Sequence, residues 1–200
     1  MRVLVISASR LGSTHEIAER IGWRLSTAGL DVQTMDAATA VTGSALDAGD
    51  AYVIGSAVYA GHWLPSALHL VREHRHVLAA RPVWLFSSGP VGDTATRYPP
   101  ADPKDVAQVA SALHPREHRT FAGALDRERV PEAHLGRVER FVATHLVPEG
   151  DYRDWMAIDR WADDIARDLR PTAERYSVSQ AGVAEQADAA DLNSAARKGV

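Results

Sequence analysis

Short, continuous apolar runs alternate along the chain with longer stretches in which apolar residues recur every three or four positions. The first run, residues 3–6, is entirely β-branched or aliphatic, which is typical of a strand buried on both faces. The same patterns predict strands at residues 3–6, 31–35, 51–55, 82–86 and 118–122, and helices marked by apolar stripes within residues 17–28, 64–78, 105–113, 135–142 and 155–169. This alternation indicates an α/β fold with a parallel sheet and helices on both faces.

Small and hydroxylated residues follow three of these strands, at residues 9–14, 56–61 and 87–93. In a parallel sheet the carboxyl ends of the strands lie at one edge, and ligands bind beyond that edge. The first segment leads from a strand into a helix, where unpaired N–H groups and the positive end of the helix dipole bind phosphate. The alternative is an ordinary helix start, because Ser13 and Glu16 fit a capping box that needs no ligand.

The residues of the first segment narrow the kind of phosphate site. The chain lacks the P-loop pattern and has no lysine before Lys104, which excludes a P-loop NTPase. Gly12 stands alone, so the dinucleotide-binding pattern Gly-x-Gly-x-x-Gly is absent. The chain also lacks the cysteine that a low-molecular-weight phosphatase needs in this loop, and the phosphoacceptor aspartate that a response-regulator receiver domain needs after its third strand. A phosphomonoester cofactor held by hydroxyls and backbone amides fits better than a transferable phosphoryl group, which requires a metal or cationic clamp.

Two aromatic residues, Tyr59 and Trp63, lie in or just after the second segment. They offer aromatic faces for a flat ligand, and the alternative is that they pack the following helix onto the sheet. His62 is the titratable residue beside them and is the candidate for a proton role. No Ser/His/Asp or paired-carboxylate arrangement stands out near the three segments, and the histidines form no convincing metal set, so we predict no metal site.

Composition limits the class of protein. The 200 residues, 46% hydrophobic and 24% charged, suffice for one sizeable core. The absence of cysteine excludes disulfides, iron–sulfur clusters and thiol nucleophiles. A net charge of −4 without a basic stripe argues against nucleic acid as a partner. The first strand begins directly after Met1 and no apolar run approaches 18 residues, so we expect a cytoplasmic protein without a signal peptide or transmembrane segment.

The C-terminal part of the sequence differs from the rest. Residues 177–200 contain no aromatic residue and few aliphatic ones, too few to offset an ordering cost of roughly 1–2 kcal/mol per residue. We therefore expect one folded domain over residues 1–170 and a disordered tail over residues 171–200.

The three segments resemble those of the flavodoxin fold family. The matching stretches are Val-Leu-Val-Ile-Ser-Ala-Ser-Arg-Leu-Gly-Ser-Thr from Val3, Gly-Ser-Ala-Val-Tyr-Ala-Gly-His-Trp from Gly55 and Pro-Val-Trp-Leu-Phe-Ser-Ser-Gly-Pro-Val-Gly-Asp from Pro82. The resemblance is greatest to the menaquinone-dependent protoporphyrinogen oxidase-like branch. It implies a doubly wound, five-stranded parallel sheet in the order 2-1-3-4-5. It also implies FMN as the cofactor, with the phosphate at the first segment and the flavin ring between the second and third.

The cofactor-binding residues expected on this basis are Ser9, Arg10, Leu11, Gly12, Ser13, Thr14, Ser56, Ala57, Val58, Tyr59, Ala60, Gly61, Trp63, Ser87, Ser88, Gly89, Pro90, Val91, Gly92 and Asp93. The cofactor, rather than a side chain, is expected to carry the redox step.

Three classes of function remain open at this point. The first is an FMN-dependent oxidoreductase acting on a flat substrate such as protoporphyrinogen IX with a quinone acceptor, with peripheral contact to a membrane. The second is a one-electron carrier that serves a redox partner protein; the net charge of −4 is a weak match to the strongly acidic carriers of this fold. The third is a cofactor-free interaction module, suggested by Leu11 at a position where the family usually has a hydroxyl residue.

Overall fold

A central parallel sheet organises the molecule. A computed structural model describes residues 1–42, 44–89, 102–129 and 149–170. The strands are β1 (Arg2–Ala8), β2 (Asp31–Asp36), β3 (Ala51–Tyr59), β4 (His62–Trp63), β5 (Val83–Ser88), β6 (Glu117–Phe121), β7 (Ala124–Leu125) and β8 (Gly150–Asp151). The helices are α1 (Ser13–Thr27), α2 (Ala37–Thr42), α3 (Pro65–Ala79), α4 (Val106–Leu113) and α5 (Trp155–Leu169), with single 3₁₀ segments at Ser44–Ala48 and Arg127–Arg129.

The strand order agrees with the sequence-based expectation. Within the described ranges, five strands pair in parallel in the order β2-β1-β3-β5-β6. Because β5 and β6 are the fourth and fifth parallel strands, this is the order 2-1-3-4-5, and the doubly wound α/β fold is confirmed. Strand β4 turns back antiparallel onto β3, and β7 and β8 form a separate antiparallel pair.

Helices cover both faces of the sheet, and the alternation of side chains along β1 explains why. Leu4 and Ile6 point to the face covered by α2, α3 and α4, whereas Val3 and Val5 point to the face covered by α1 and α5. All four side chains are fully buried. A strand with a helix layer on each side needs apolar residues at every position, which is the pattern that predicted β1.

Helix α5 closes one of the two cores with its largest side chain. The ring of Trp161 packs against Phe86 and Phe121, with ring centroids 6.2 and 5.5 Å away. Its indole N–H donates to a carboxylate oxygen of Glu117 at 2.7 Å, which satisfies the polar atom of an otherwise buried residue. The predicted apolar stripe of this helix is therefore confirmed as a core face, with Trp161 added to it.

Two ion pairs join α5 to α1 across the outside of this core. Arg20 donates two hydrogen bonds to Asp159, at 2.7 and 2.6 Å, and Arg24 donates two to Asp163. In each pair the two residues are 139 positions apart in the chain. The bidentate geometry fixes the register of the two helices.

Some expectations differ from the structure or lie outside it. The stretch between β2 and β3, for which the sequence patterns predict neither a helix nor a strand, contains α2 and a 3₁₀ segment. The helix expected within residues 135–142 and the tail expected over residues 171–200 lie outside the described residues. None of the described helices is both long and apolar enough to cross a membrane. In the same ranges, no group of three or more His, Cys, Asp or Glu side chains could hold a metal ion.

Candidate functional site

The first segment forms a tight turn between β1 and α1. Gly12 is the residue that precedes the helix, and its φ of 91° lies in the left-handed region that favours glycine. Its N–H donates to the hydroxyl of Ser9 at 3.1 Å, which closes the turn. Gly12 has no side chain that could cap α1. Within the part of the chain that the structure describes, no side chain accepts a hydrogen bond from the first backbone N–H groups of the helix, which lie at the carboxyl edge of the sheet, as an anion site requires.

The capping box suggested by the sequence does not form. The Ser13 hydroxyl accepts a hydrogen bond from the backbone N–H of Ala124 at 2.9 Å. The Glu16 carboxylate accepts one from Arg153 at 2.6 Å. Both side chains are engaged by the β7–β8 region instead of by each other, so the ordinary helix-start interpretation is wrong for this pair.

The second segment is a hairpin rather than an open loop. Residues 56–59 continue β3, and Ala60 and Gly61 form a two-residue turn with φ values of 52° and 80°. Two positive φ values in succession are typical of the type I′ turn, whose twist matches that of the strands it joins. The guanidinium of Arg10 lies 5.2 Å from the ring centroid of Tyr59, so the first segment contacts the hairpin.

The two aromatic residues of the hairpin occupy different environments. Trp63 is only 2% exposed and belongs to the core beneath α3, whereas Tyr59 is partly exposed at the edge of the sheet. The indole N–H of Trp63 donates to the Ser87 hydroxyl at 2.8 Å. In this structure Trp63 packs in the core, as the alternative interpretation expects, and Tyr59 is the more exposed of the two rings; contact of either ring with a ligand stays a prediction.

A Ser–His–Asp hydrogen-bond chain begins at Ser87, the first residue of the third segment, and no local sequence pattern predicts it. The Ser87 hydroxyl is 2.9 Å from Nε2 of His118, and Nδ1 of His118 is 3.2 Å from a carboxylate oxygen of Asp102. The connectivity is that of a hydrolytic triad. However, Ser87 is fully buried and already accepts the Trp63 N–H, so its oxygen is closed to a substrate. We assign the chain a structural role, which is to hold β4, β5 and β6 together at the site edge.

The environment of His118 makes the stability of the protein depend on pH. Burial lowers the pKa of His118 from its usual 6.5, and the nearby Asp102 carboxylate only partly opposes this. Below pH 6.5 the unfolded chain therefore binds a proton at this position before the native protein does, and the free energy of unfolding falls as the pH falls through that window. In urea unfolding at pH 7.5 and 5.5, we expect His118→Gln to show a smaller loss of stability on acidification than the wild type. Identical losses in the two proteins would contradict this assignment.

His62 lies at the hairpin turn and contacts the segment that leads into α4. Its Nδ1 is 3.1 Å from Asp105, and the same carboxylate accepts the backbone N–H of Trp63 at 2.9 Å. The backbone N–H of Lys104 also donates to the carbonyl of Gly61 at 2.9 Å. These contacts fix the hairpin against residues 104–105. A proton role for His62 stays a prediction.

The third segment begins inside β5. Ser87 and Ser88 are the last two residues of β5, and both are buried. Gly89 follows with a φ of 128°, and its N–H donates to the carbonyl of Phe121 at 3.0 Å. A side chain at Gly89 would contact the backbone of Val58 at 3.6 Å, so the second and third segments approach closely here. The remaining predicted residues, Pro90, Val91, Gly92 and Asp93, lie outside the described residues.

The structure thus brings the described parts of the three segments to one edge of the sheet. The register pairs Ala8 with Ser56 and Ser56 with Ser87, so the three strands end at nearly the same level. The edge combines an uncapped helix start, a glycine-containing hairpin and the end of β5. Such an arrangement suits a ligand with a phosphate at one end and a flat ring at the other.

Comparisons with known proteins agree with this geometry. The family model described as a flavodoxin domain matches residues 4–145. A flavodoxin from the domain Archaea has 18% sequence identity and a TM-score of 0.52, with 84% of this chain and 98% of that chain covered. A Streptococcus pneumoniae flavodoxin has 16% identity and a TM-score of 0.53, with 84% and 100% covered.

A larger protein contains a similar domain. Rubredoxin oxygen:oxidoreductase from Desulfovibrio gigas has 13% identity and a TM-score of 0.54, with 84% of this chain but only 36% of that chain covered. At these identities the solved structures show the fold alone. No curated protein matches the chain.

Proposed function

The chain belongs to the flavodoxin domain family, and from this membership together with the geometry of the sheet edge we propose that it binds FMN and transfers electrons. The observation that carries the proposal is the uncapped start of α1 behind the left-handed Gly12. Bound FMN would supply the redox chemistry, and the protein would supply its position and electrostatic surroundings.

The residues present fit such a group. The phosphate would lie at the start of α1, where the backbone amides within residues 10–14 and the hydroxyls of Ser9 and Thr14 are the candidate donors; the Gly12 amide donates to the Ser9 hydroxyl in this structure and would have to change partner to take part. Gly12 and Gly89 allow close approach of a ligand to the backbone, because neither carries a side chain and both have positive φ. The ring would lie between the hairpin and the third segment, with Tyr59 as its aromatic neighbour.

The experiment that tests the proposal compares FMN with riboflavin, which lacks the phosphate. The wild type is expected to bind FMN far more tightly than riboflavin. Replacing Thr14 with alanine would remove a hydrogen bond to a charged group worth about 1.5–3 kcal/mol, so FMN affinity should fall roughly ten- to hundred-fold while riboflavin affinity changes little. Flavin fluorescence quenching measures both constants. Equal affinity of the wild type for the two flavins would refute the proposed phosphate site, and colourless protein that binds neither would favour the cofactor-free module.

We further propose that the electrons are exchanged with a flat organic compound or quinone, such as protoporphyrinogen IX with a quinone acceptor. The support for this is the burial of Trp63, which leaves Tyr59 as the aromatic residue at the described part of the site. A flavin ring that has aromatic residues on both faces is shielded from other molecules. If one face has no such residue, a flat substrate can stack on that face. Steady-state turnover with protoporphyrinogen and a quinone separates this function from that of a one-electron carrier, which a ferredoxin-type reductase would reduce instead.

A further inference from the structure

Arg153 lies in the short connection between β8 and α5 and reaches the first turn of α1. Its side chain is only 8% exposed. It donates to Glu16 at 2.6 Å and makes two further bonds of 2.7 Å to the Asp151 carboxylate, so one guanidinium holds two carboxylates. Its guanidinium also lies 4.4 Å from the ring centroid of Trp155, which covers one of its faces.

The charge of Arg153 is secured by these partners. Burial acts to lower its pKa, but the hydrogen bonds to Asp151 and Glu16 and the charges of these carboxylates together outweigh burial and raise it. The same arginine lowers the pKa of the Asp151 carboxyl. Among the described residues, one cation is thereby held between two anions at the start of α1.

Glu16 is an unfavourable residue for an anion site unless its charge is balanced. It is the fourth residue of α1, and side chains on a helix tilt toward its N-terminus, which directs this carboxylate to the end where the phosphate would lie. The positive end of the helix dipole attracts the carboxylate and the phosphate alike. Without a counter-charge, the two anions would compete for the same N–H groups and repel each other.

We propose that Arg153 is a positioning residue for the cofactor phosphate: it offsets part of the negative charge of Glu16 and holds its carboxylate away from the turn proposed to bind the phosphate. The proposal rests on the proposed function, because it needs a phosphate at the start of α1. The adjacent contact between Ala124 and Ser13 serves the same end, since it fixes the first residue of the helix from β7, the strand paired with β8. The β7–β8 pair thereby becomes part of the phosphate site without touching the phosphate.

The experiment measures the dissociation constants of FMN and riboflavin for Arg153→Met, Glu16→Gln and the double variant. Arg153→Met keeps most of the packing stem but removes the charge, so we expect FMN affinity to fall about ten-fold while riboflavin affinity stays within two-fold. The loss should shrink as salt rises, because added ions screen the exposed carboxylate. In the double variant FMN affinity should return to within about three-fold of the wild type, because the repelling charge is gone.

Two variants control for folding and for net charge. Arg24→Met removes a bidentate arginine that joins α1 to α5, but at the last turn of α1, and should leave the preference for FMN over riboflavin unchanged. Glu16→Gln alone alters a side chain that is one-third exposed and should fold normally even if Arg153→Met does not. It should raise FMN affinity about three-fold without changing riboflavin affinity.

The outcomes separate this inference from the proposed function. If the wild type binds neither flavin, or binds both equally, the proposed function fails and the inference fails with it. If the wild type prefers FMN but Arg153→Met loses affinity for both flavins equally, or the double variant does not recover, Arg153 has only a structural role. A lower FMN affinity in Glu16→Gln would overturn the inference on its own.

Discussion

Replacing Gly12 with valine is expected to lower FMN affinity by roughly 100-fold or more. The φ of 91° at this position costs a non-glycine residue about 1–2 kcal/mol, and a β-branched side chain more, so the turn should rearrange. A rearranged turn would misplace at least two backbone donors to the phosphate, each worth about 1.5–3 kcal/mol. Together these losses amount to about 3 kcal/mol or more, which corresponds to the stated fall in affinity. Fluorescence titration with FMN and riboflavin measures it.

Gly29 provides a matched control for the backbone strain. It follows the other end of α1, has a φ of 89°, and a side chain built there would have nothing within 4 Å. Gly29→Val should therefore lower the free energy of unfolding about as much as Gly12→Val while leaving the FMN constant unchanged. If both variants lost flavin affinity equally, Gly12 would act through stability alone.

Replacing Gly55 with alanine is expected to destabilise the fold by about 3 kcal/mol. Gly55 lies in β3, and a Cβ at this position would overlap the ring of the fully buried Phe86. That ring cannot move freely, because Phe121 and Trp161 pack against it at centroid distances of 6.3 and 6.2 Å. Overpacking of this kind costs 1–3 kcal/mol or more, so the melting temperature should fall by roughly 6–12 °C. Thermal and urea unfolding followed by circular dichroism measure the loss.

A double variant identifies the cause of that loss. Phe86→Leu alone should cost about 1–3 kcal/mol through the cavity that it leaves. In the Gly55→Ala background it should instead recover part of the stability, because leucine vacates the space the new methyl group needs. A double variant whose loss equals the sum of the two single losses would show that the two positions do not interact.

Local patterns explain which parts of the fold were predictable. The apolar run of β1 and the glycine turn before α1 are signals within a few neighbouring residues, and both correspond to the structure. The buried stripe of α5 is likewise visible in one helix-length window. The order of the parallel strands was an implication of family resemblance, and it agrees because alternating strands and helices with right-handed crossovers allow few arrangements.

The parts that the sequence did not predict depend on partners far apart in the chain. The indole of Trp63 donates to Ser87, which lies 24 positions away in the chain. Ser87 in turn contacts His118, which lies another 31 positions along. No spacing rule brings these three together before the sheet order is known. Strands β7 and β8 have two residues each, too few for a period of two to be seen. The contact of Arg153 with Glu16 depends on that strand pair and was missed for the same reason.

The pairing of α1 with α5 has a consequence for how the protein is made. The helix that follows the glycine turn leaves the ribosome well before the helix that covers its core face, because their contacting residues are 139 positions apart. Until α5 has been synthesised, the core on the α1 side of the sheet lacks Ile158, Trp161 and Ile165, and part of its apolar surface stays in water. At about 5–20 residues per second this exposed interval lasts many seconds, during which the nascent chain is open to aggregation and to chaperones. Completion of the core beneath α1 therefore waits on a helix that is distant in the sequence, which is a high-contact-order and slow-folding arrangement.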